Sequence, residues 1–348
     1  MKKTYIALIL IFVSIIGCSC SDSKPAPTVP DDKPKEKDYF YITGSRTDVT
    51  TNSRGGFLLA GGGTDNDDAM KWFLNNAAGG DIVIIRHSGS NGYNNYLYND
   101  LGITVNSVTS IVIDDKTKAN DEDVYNAICN AEALFIAGGD QGKYINTWGG
   151  TKVKEAIAFL VKKGDVTIGG TSAGMAILSE YCYTGANGSA TSDVLMNPFH
   201  STVGPSTLTK SIVEIPLFEK TVTDTHFTQR NRMGRLVVFI ARLLESYNDP
   251  IYAVAADERS AIGIDSNGEA LVFGPKVSLF KSMGNKPETC LPNQPLVWNC
   301  SKKALMLREI SGTPNGKNIG NYSDLWLKSS ESEWKYLYVT NGVLHIDQ

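Results

Sequence analysis

An α/β protein, with a mostly parallel sheet flanked by helices, is predicted by three features of this sequence. Short apolar runs that suit buried strands alternate with amphipathic stretches of helical period between Phe57 and Gly169. Glycine clusters close three of those runs, at Gly61-Gly62-Gly63, Gly138-Gly139 and Gly169-Gly170. Such clusters mark strand ends, where ligands of parallel sheets bind. The 348 residues, 42% hydrophobic and 20% charged, suffice for one large or two modest domains with a real core. The net charge of −4 gives no footing for a nucleic-acid partner.

Phe57 to Ala60 reads as the first strand of the pattern, and Asp67 to Ala78 as a helix. Strands follow at Asp81 to Arg86 and Val108 to Ile113, then a helix at Asp121 to Ala131 and a strand at Ala133 to Ala137. Thr151 to Lys163 is helical, with Val153, Ile157, Leu160 and Val161 on one face. Val166 to Gly169 is the next strand, and Met175 to Leu178 opens another helix, with Cys182 near its end. A long helix is expected from about Thr228, because Met233, Leu236, Val237, Ile240, Leu243, Leu244 and Tyr247 share one face. Tyr252 to Ala256, Ala261 to Ile264 and Ala270 to Phe273 read as short strands. From about Asn285 the pattern weakens into a β-rich tail carrying Trp298, Leu305, Leu307, Trp326, Trp334, Tyr336 and Tyr338, with a turn at Asn341-Gly342.

The first residues have the form of a targeting segment. Lys2-Lys3 precedes the apolar run Ile6 to Ile16, which is shorter than the roughly 20 residues a bilayer span requires. Ile15-Ile16-Gly17-Cys18 resembles a bacterial lipobox, which implies cleavage before Cys18 and lipidation of its thiol; a plain secretory signal is the alternative. Ser19 to Asp38, rich in Ser, Pro, Lys and Asp, suits a flexible tether. The expected divisions are a lipoprotein signal peptide over 1–17, a tether over 18–40, a globular domain over 41–284 and a β-rich C-terminal extension over 285–348. The expected location is outside the cytoplasm, anchored by lipid to the periplasmic face or surface of a bacterial membrane. In an exported protein Cys290 and Cys300 suit either a disulfide or two separate buried thiols, while Cys129 and Cys182 read as core residues.

The most informative stretch is Gly170-Thr171-Ser172-Ala173-Gly174, a Gly-x-Ser-x-Gly between a strand and a helix, which is the pattern of a nucleophile elbow. A serine hydroxyl needs a base in contact and a group to orient that base. Four histidines are available: His87 after an early strand, His200 in a loop, His345 near the end, and His226. His226 is followed by Arg230, Arg232 and Arg235, cations that would crowd the first turns of a helix starting near Thr228. That placement opposes the helix dipole and points to an anionic ligand, because arginine offers bidentate geometry to carboxylates. The other reading is a solvated or salt-bridged charged face.

Ala137-Gly138-Gly139-Asp140-Gln141, Gly169 to Gly174, Asp224 to Leu236 and Asp257-Glu258-Arg259-Ser260-Ala261, in that order and spacing, resemble cyanophycinase and related serine peptidases, a group that includes the α-aspartyl dipeptidases. The resemblance covers roughly Gly56 to Lys281. It implies a core akin to the class I glutamine amidotransferases (flavodoxin-like) and a Ser-His-Glu triad of Ser172, His226 and Glu258, with Asp193 competing for the third place. It further implies oxyanion N–H groups from Gly139 and Ala173, and places Gln141, Asp224, Arg230, Arg232 and Arg235 at positions that hold a β-linked Asp-Arg unit. Thr225 departs from the family, which carries glutamine there; the shorter side chain counts against cyanophycin itself as substrate.

The leading expectation is an exported serine exopeptidase for peptides with acidic or β-aspartyl groups. An ordinary α/β-hydrolase needs a late histidine, and His345 lacks the expected loop signals. A glutamine amidotransferase would carry cysteine at position 172. A lipoprotein that binds acidic peptides without turnover is the alternative from another class. His and Cys lack metal-ligand spacing, and no cofactor is implied. The resemblance also brings a homodimer into consideration.

Overall fold

The computed structural model describes residues 37–247, 249–327 and 333–347. The expected signal peptide, Cys18 and nearly all of the expected tether lie outside the described residues. Lys37 to Phe40, the last residues of that stretch, already belong to the fold: Lys37 pairs with Asp121 at 2.5 Å and Asp123 at 2.8 Å, and Phe40 opens a strand. No helix among the described residues is long and apolar enough to cross a membrane.

Among the described residues seventeen strands, in chain order, form two sheets. They are β1 (Phe40–Gly44), β2 (Gly56–Ala60), β3 (Asp81–Arg86), β4 (Ser107–Val112), β5 (Ala133–Ile136), β6 (Thr167–Thr171), β7 (Tyr181–Tyr183), β8 (Leu208–Lys210) and β9 (Thr221–Asp224). Then come β10 (Tyr252–Ala256), β11 (Ala261–Asp265), β12 (Glu269–Phe273), β13 (Val277–Ser282), β14 (Leu305–Ile310), β15 (Lys317–Asn321), β16 (Lys335–Thr340) and β17 (Val343–Asp347). The α-helices are α1 (Asp67–Asn76), α2 (Lys116–Ala119), α3 (Glu122–Cys129), α4 (Gln141–Trp148), α5 (Lys152–Lys163), α6 (Ala173–Ala176), α7 (Met233–Ser246) and α8 (Tyr322–Leu327).

The first sheet has the order β1-β4-β3-β5-β6-β2-β11-β12-β15. Its central strands β4, β3, β5, β6 and β2 are parallel, while β1 and the β11-β12-β15 side are antiparallel. The second sheet runs β17-β16-β14-β13-β10-β9-β7-β8 and is parallel only at β10-β9 and β9-β7. The expectation of one mostly parallel sheet is therefore corrected to a mixed α/β fold with two sheets. Connection length is part of the reason: β11 to β12 and β16 to β17 are joined by short turns, and short links make antiparallel neighbours.

Alternation along the strands separates the core into layers. Leu58, Ile82, Ile84 and Phe135 face α1, whose Met70, Phe73 and Leu74 are buried against them. Leu59, Val83, Ile85, Ile136 and Ile168 point the other way, into a cluster shared with α3, α5 and Val254, Val277 and Leu279 of the second sheet. Ala253, Ala255 and Phe280 pack on the far side of that sheet against α7. Helix α7 is buried almost all round, which its run of apolar residues after Arg235 requires. Local chemistry sets the helix ends. Asn66, Asp121 and Asp140 cap α1, α3 and α4 through side-chain oxygens, and Gly164, at φ 76°, ends α5 in the left-handed conformation.

Several boundaries differ from expectation. The elbow helix α6 is a single turn, and Cys182 lies on β7 instead, where Tyr181 and Tyr183 pair across to β8. Helix α7 starts at Met233, not Thr228, because His226 and Asn231 take left-handed backbones at φ 46° and 49°. Trp326 sits in α8, not in a strand. Cys290 and Cys300 are free thiols, as are the buried Cys129 and Cys182. Asn341-Gly342, at φ 47° and 76°, joins β16 to β17 with both residues left-handed, as a tight hairpin demands.

At the end of the first sheet where the parallel strands begin, Glu132 accepts the backbone N–H of Asp81 at 2.7 Å from a position only 3% exposed. Burial raises its carboxyl from 4.5 to about 7, and Asp81 and Asp48 add to the rise. A carboxyl raised in the folded state stabilises the fold below about pH 4.5, and that contribution is lost as pH climbs through about 7. Glu132→Gln should flatten the decline in unfolding free energy between about pH 4.5 and 7, read by urea titration at several pH values. An unchanged slope would remove Glu132 as its source.

Candidate active site

Ser172 follows directly on β6 and has φ 52° and ψ −113°, a conformation rare for a residue with a side chain. The chain around it permits this only by omitting side chains: a Cβ on Gly174 would lie 2.0 Å from the carbonyl oxygen of Ile136. The Ser172 N–H is held by the carbonyl of Ala60 at 3.0 Å. The turn presents Oγ at the carboxyl end of the parallel strands.

His226 follows β9 of the other sheet. Its backbone N–H donates to the carbonyl of Gly61 at 2.8 Å, which ties the two sheets together at this point. Its Nε2 lies 2.8 Å from Ser172 Oγ, and its Nδ1 lies 2.7 Å from Glu258 Oε1. Glu258 stands two residues past β10, where its backbone N–H donates to the Gln229 side chain at 3.0 Å. The neighbouring Asp257 carboxylate accepts the N–H of Thr228 at 3.0 Å. These bonds stitch the loop after β9 to the loop after β10, so the imidazole is oriented from both sides.

Gly62 packs against His226 and Ser172 at φ +95°. A Cβ there would sit 2.5 Å from His226 Nε2 and 3.0 Å from Ser172 Cβ, so both conformation and space demand glycine. The other histidines are elsewhere. His200 contacts Thr202 in an exposed loop, and His345 stacks on Tyr338 on β17. His87 lies in the loop after β3. Asp193 hydrogen-bonds the hydroxyl of Thr191 and is exposed, while Glu258 holds the imidazole.

The arginines divide into two kinds. Arg235, on α7, is 4% exposed and clamps Asp224 at the end of β9 with a fork, Nε to Oδ2 at 2.9 Å and Nη2 to Oδ1 at 2.5 Å. Its remaining donors reach Ser189 Oγ and the carbonyl of Ala190, and its plane lies over the Tyr183 ring. Arg232 is 6% exposed and donates to the carbonyl of Thr225 at 2.6 Å, while its Nε has no partner. Burial, then the neighbouring Arg235, lowers its guanidinium to about 10. Arg230 is exposed, three residues before α7 begins. So Arg232, the N-cap of α7, and Arg235, in its first turn, do stand at the helix start as the sequence suggests, but they are not solvated. Two are packed around one buried carboxylate and the third faces solvent. Gln141 opens α4 and donates to the carbonyl of Tyr183 at 2.8 Å.

Gly139 lies in the loop after β5, and a Cβ on its neighbour Gly138 would be 3.5 Å from Ser172 Cβ. Ala173 opens α6, where backbone N–H groups have no acceptor within the helix. The sequence marks Gly61 to Gly63 as a ligand-binding strand end without showing its role, and gives no sign of Tyr144, whose hydroxyl bonds the loop carbonyls of Ala137 and Gly138. The glycine cluster was the available signal for the first; nothing local marked the second. Among the described residues no group of three His, Cys, Asp or Glu side chains is placed to hold a metal ion.

A family model described as Peptidase family S51 matches residues 88–271, more than half of the chain. Cyanophycinase from Geminocystis herdmanii (strain PCC 6308) is 28% identical over 153 residues, 44% of this chain and 47% of that protein. Cyanophycinase from Trichormus variabilis (strain ATCC 29413 / PCC 7937) is 31% identical over 134 residues, 38% of this chain and 37% of that protein. The chain thus spans about half the length of the curated relatives it matches, or less. The fold is similar to that of a peptidase from an acI-B1 Actinobacterium, with a TM-score of 0.50 at 13% identity, over 77% of this chain and 98% of that one.

Burial lowers the pKa of His226 from 6.5, opposed by its bond to Glu258 and reinforced by the charges of Arg230 and Arg232. The ring is therefore neutral at neutral pH, ready to accept a proton. Arg230→Gln removes one of the depressing charges, so the His226 ring titration followed by NMR should have its midpoint below 6.5 in the parent and move upward in the variant. A midpoint unmoved by the substitution would place Arg230 outside the electrostatic reach of the ring.

Proposed function

The chain belongs to peptidase family S51, and on that premise we propose that it is an exported serine-type exopeptidase of cyanophycinase-like kind, acting on peptides with β-linked aspartyl or acidic groups. One observation carries this reading: Glu258, His226 and Ser172 form a continuous hydrogen-bonded line with contacts of 2.7 and 2.8 Å. In the proposed reaction Ser172 Oγ attacks the scissile carbonyl while its proton passes to His226 Nε2. Glu258 accepts the Nδ1–H and stabilises the imidazolium that forms. The N–H groups of Gly139 and Ala173 receive the charge that develops on the carbonyl oxygen. His226 returns the proton to the leaving amine, and water, activated by the same ring, then releases the acyl group from Ser172.

Substrate class follows from charge. Arg232 and Arg235 share one carboxylate, Asp224, which leaves an excess positive charge beside the base. Arg230, exposed next to it, adds a second and has the geometry to take a substrate carboxylate. In this assignment Arg230 and Gln141 touch the substrate, and Asp224 with Arg235 supports them from behind. Thr225, where the family carries glutamine, accepts from Arg232 through its carbonyl and lies buried, so the reading is of acidic and β-aspartyl peptides rather than of cyanophycin itself.

The same proposal includes removal of residues 1–17 and lipid on Cys18, supported by the Lys2-Lys3 start, the apolar run and the cysteine that ends it. It also treats the five parallel strands with their helices as a core of class I glutamine amidotransferase type, and residues 285–348 as a β-rich extension, whose strands β14, β16 and β17 lie at the outer side of the second sheet.

Purified protein and its Ser172→Ala form, incubated with cyanophycin and a panel of β-aspartyl dipeptides, should differ in kcat by about 10⁴-fold or more. Equal product from both would reject the nucleophile. Arg230→Gln should raise KM for acidic substrates severalfold more than for neutral ones of the same length. Equal losses on both classes would reject the anchoring role.

A further inference from the structure

We propose that Tyr144 is a positioning residue for this reaction: its buried hydroxyl sets the orientation of the peptide that carries the Gly139 N–H. The inference rests on the hydrolase reading above and goes beyond it by naming what holds the oxyanion loop.

Tyr144 lies in α4, five residues beyond Gly139, and is fully buried. Its ring stacks on Trp148 with centroids 4.3 Å apart and planes 9° from parallel. The Trp148 indole N–H in turn donates to the carbonyl of Ile113, one residue past β4, at 2.9 Å. The phenol is thus fixed to the body of the first sheet. Its O–H faces two carbonyls at once, Ala137 at 2.9 Å and Gly138 at 3.0 Å. These are the last groups before Gly139.

The Gly138 carbonyl and the Gly139 N–H belong to one planar unit and point in opposite directions when that unit is trans. Holding the carbonyl toward the buried phenol therefore turns the N–H away from it, out of the core. The phenol lies so close that position 139 has no room for a side chain: a Cβ on Gly139 would be 2.6 Å from the phenol oxygen. Gly138 is already against the nucleophile, its Cβ position 3.5 Å from Ser172 Cβ. Without the hydroxyl, both residues are glycines free to rotate that peptide, and the N–H is aimed only part of the time. Burial keeps the phenol protonated across the working pH range, so its donation is constant and does not titrate with the base.

Tyr144→Phe keeps the ring, the stack and the volume, and removes one oxygen. The expected result on a β-aspartyl or acidic peptide is a fall in kcat of about tenfold or more, with KM unchanged within about twofold, because the lost interaction matters only once the oxyanion forms. The rate at which a serine-directed phosphonate labels Ser172 should fall by a similar factor, since that adduct also carries an oxyanion. Rates are taken per labelled site. A residue that served stability alone would lower the number of sites that label and leave the rate at each unchanged, and that result overturns the proposal. So does a variant equal to the parent in both readouts, or one in which KM rises and kcat holds. A parent protein that neither turns over substrate nor labels at Ser172 sinks the hydrolase reading itself. That outcome is distinguishable from a parent that labels and a variant that labels equally fast, which rejects only Tyr144.

Discussion

Bare backbone at residues 61–63 is the constraint on which this site depends. The loop that leaves β2 lies where the two sheets meet, and each member of the hydrogen-bonded line is fastened around it. Ser172 donates its N–H to Ala60, His226 donates to Gly61, and Arg259, next to Glu258, donates to Gly62. A strand of the first sheet thereby serves as the gauge for two loops of the second. The imidazole sits so close that no side chain fits at position 62. These backbone bonds and the close approach of Gly62 fix where each side chain stands, which is why side chains 54 and 32 residues apart meet at bonding distance.

Around that contact the protein arranges charge in a graded way. Asp224 and Arg235 are both nearly inaccessible and fully matched, fork to carboxylate. A buried pair of this kind adds little net stability over apolar packing, but removing one partner leaves an uncompensated ion. It fixes the end of β9 against the start of α7, the segment that contains His226. Arg232 is buried with less compensation, and its lowered guanidinium records the cost. Arg230 stands in solvent. The field at the imidazole is accordingly positive, which helps keep the ring neutral and favours an anionic ligand beside it.

Differences between the sequence reading and the structure share a cause. The strand-helix alternation from Phe57 to Gly169 was legible because the helices bury one face with helical period and the strands are short apolar runs buried on both faces, and β3 matches its expected limits. The segment after the elbow was not: apolar Met175 to Leu178 suits a helix, but the chain leaves α6 after one turn to place Tyr181 to Tyr183 beside β9. Helix α4 was missed because Gln141 to Trp148 has few apolar positions; Tyr144 and Trp148, stacked on each other, are the large side chains of its buried side. The start of α7 was misplaced because two left-handed residues, His226 and Asn231, cannot be recognised from composition.

What the sequence by itself determined is the local chemistry: a serine between glycines at a strand end, a histidine followed by arginines, a glutamate just past a strand, and the faces of the central helices. These follow from residue type and period, which need no partner to be read. Only the tertiary structure decided that the strands divide into two sheets, that Asp224 absorbs Arg235, and that a phenol from α4 grips the loop beside Ser172. Those are contacts between segments distant in the chain or hidden in its turns, and they depend on which faces the packed layers bring together.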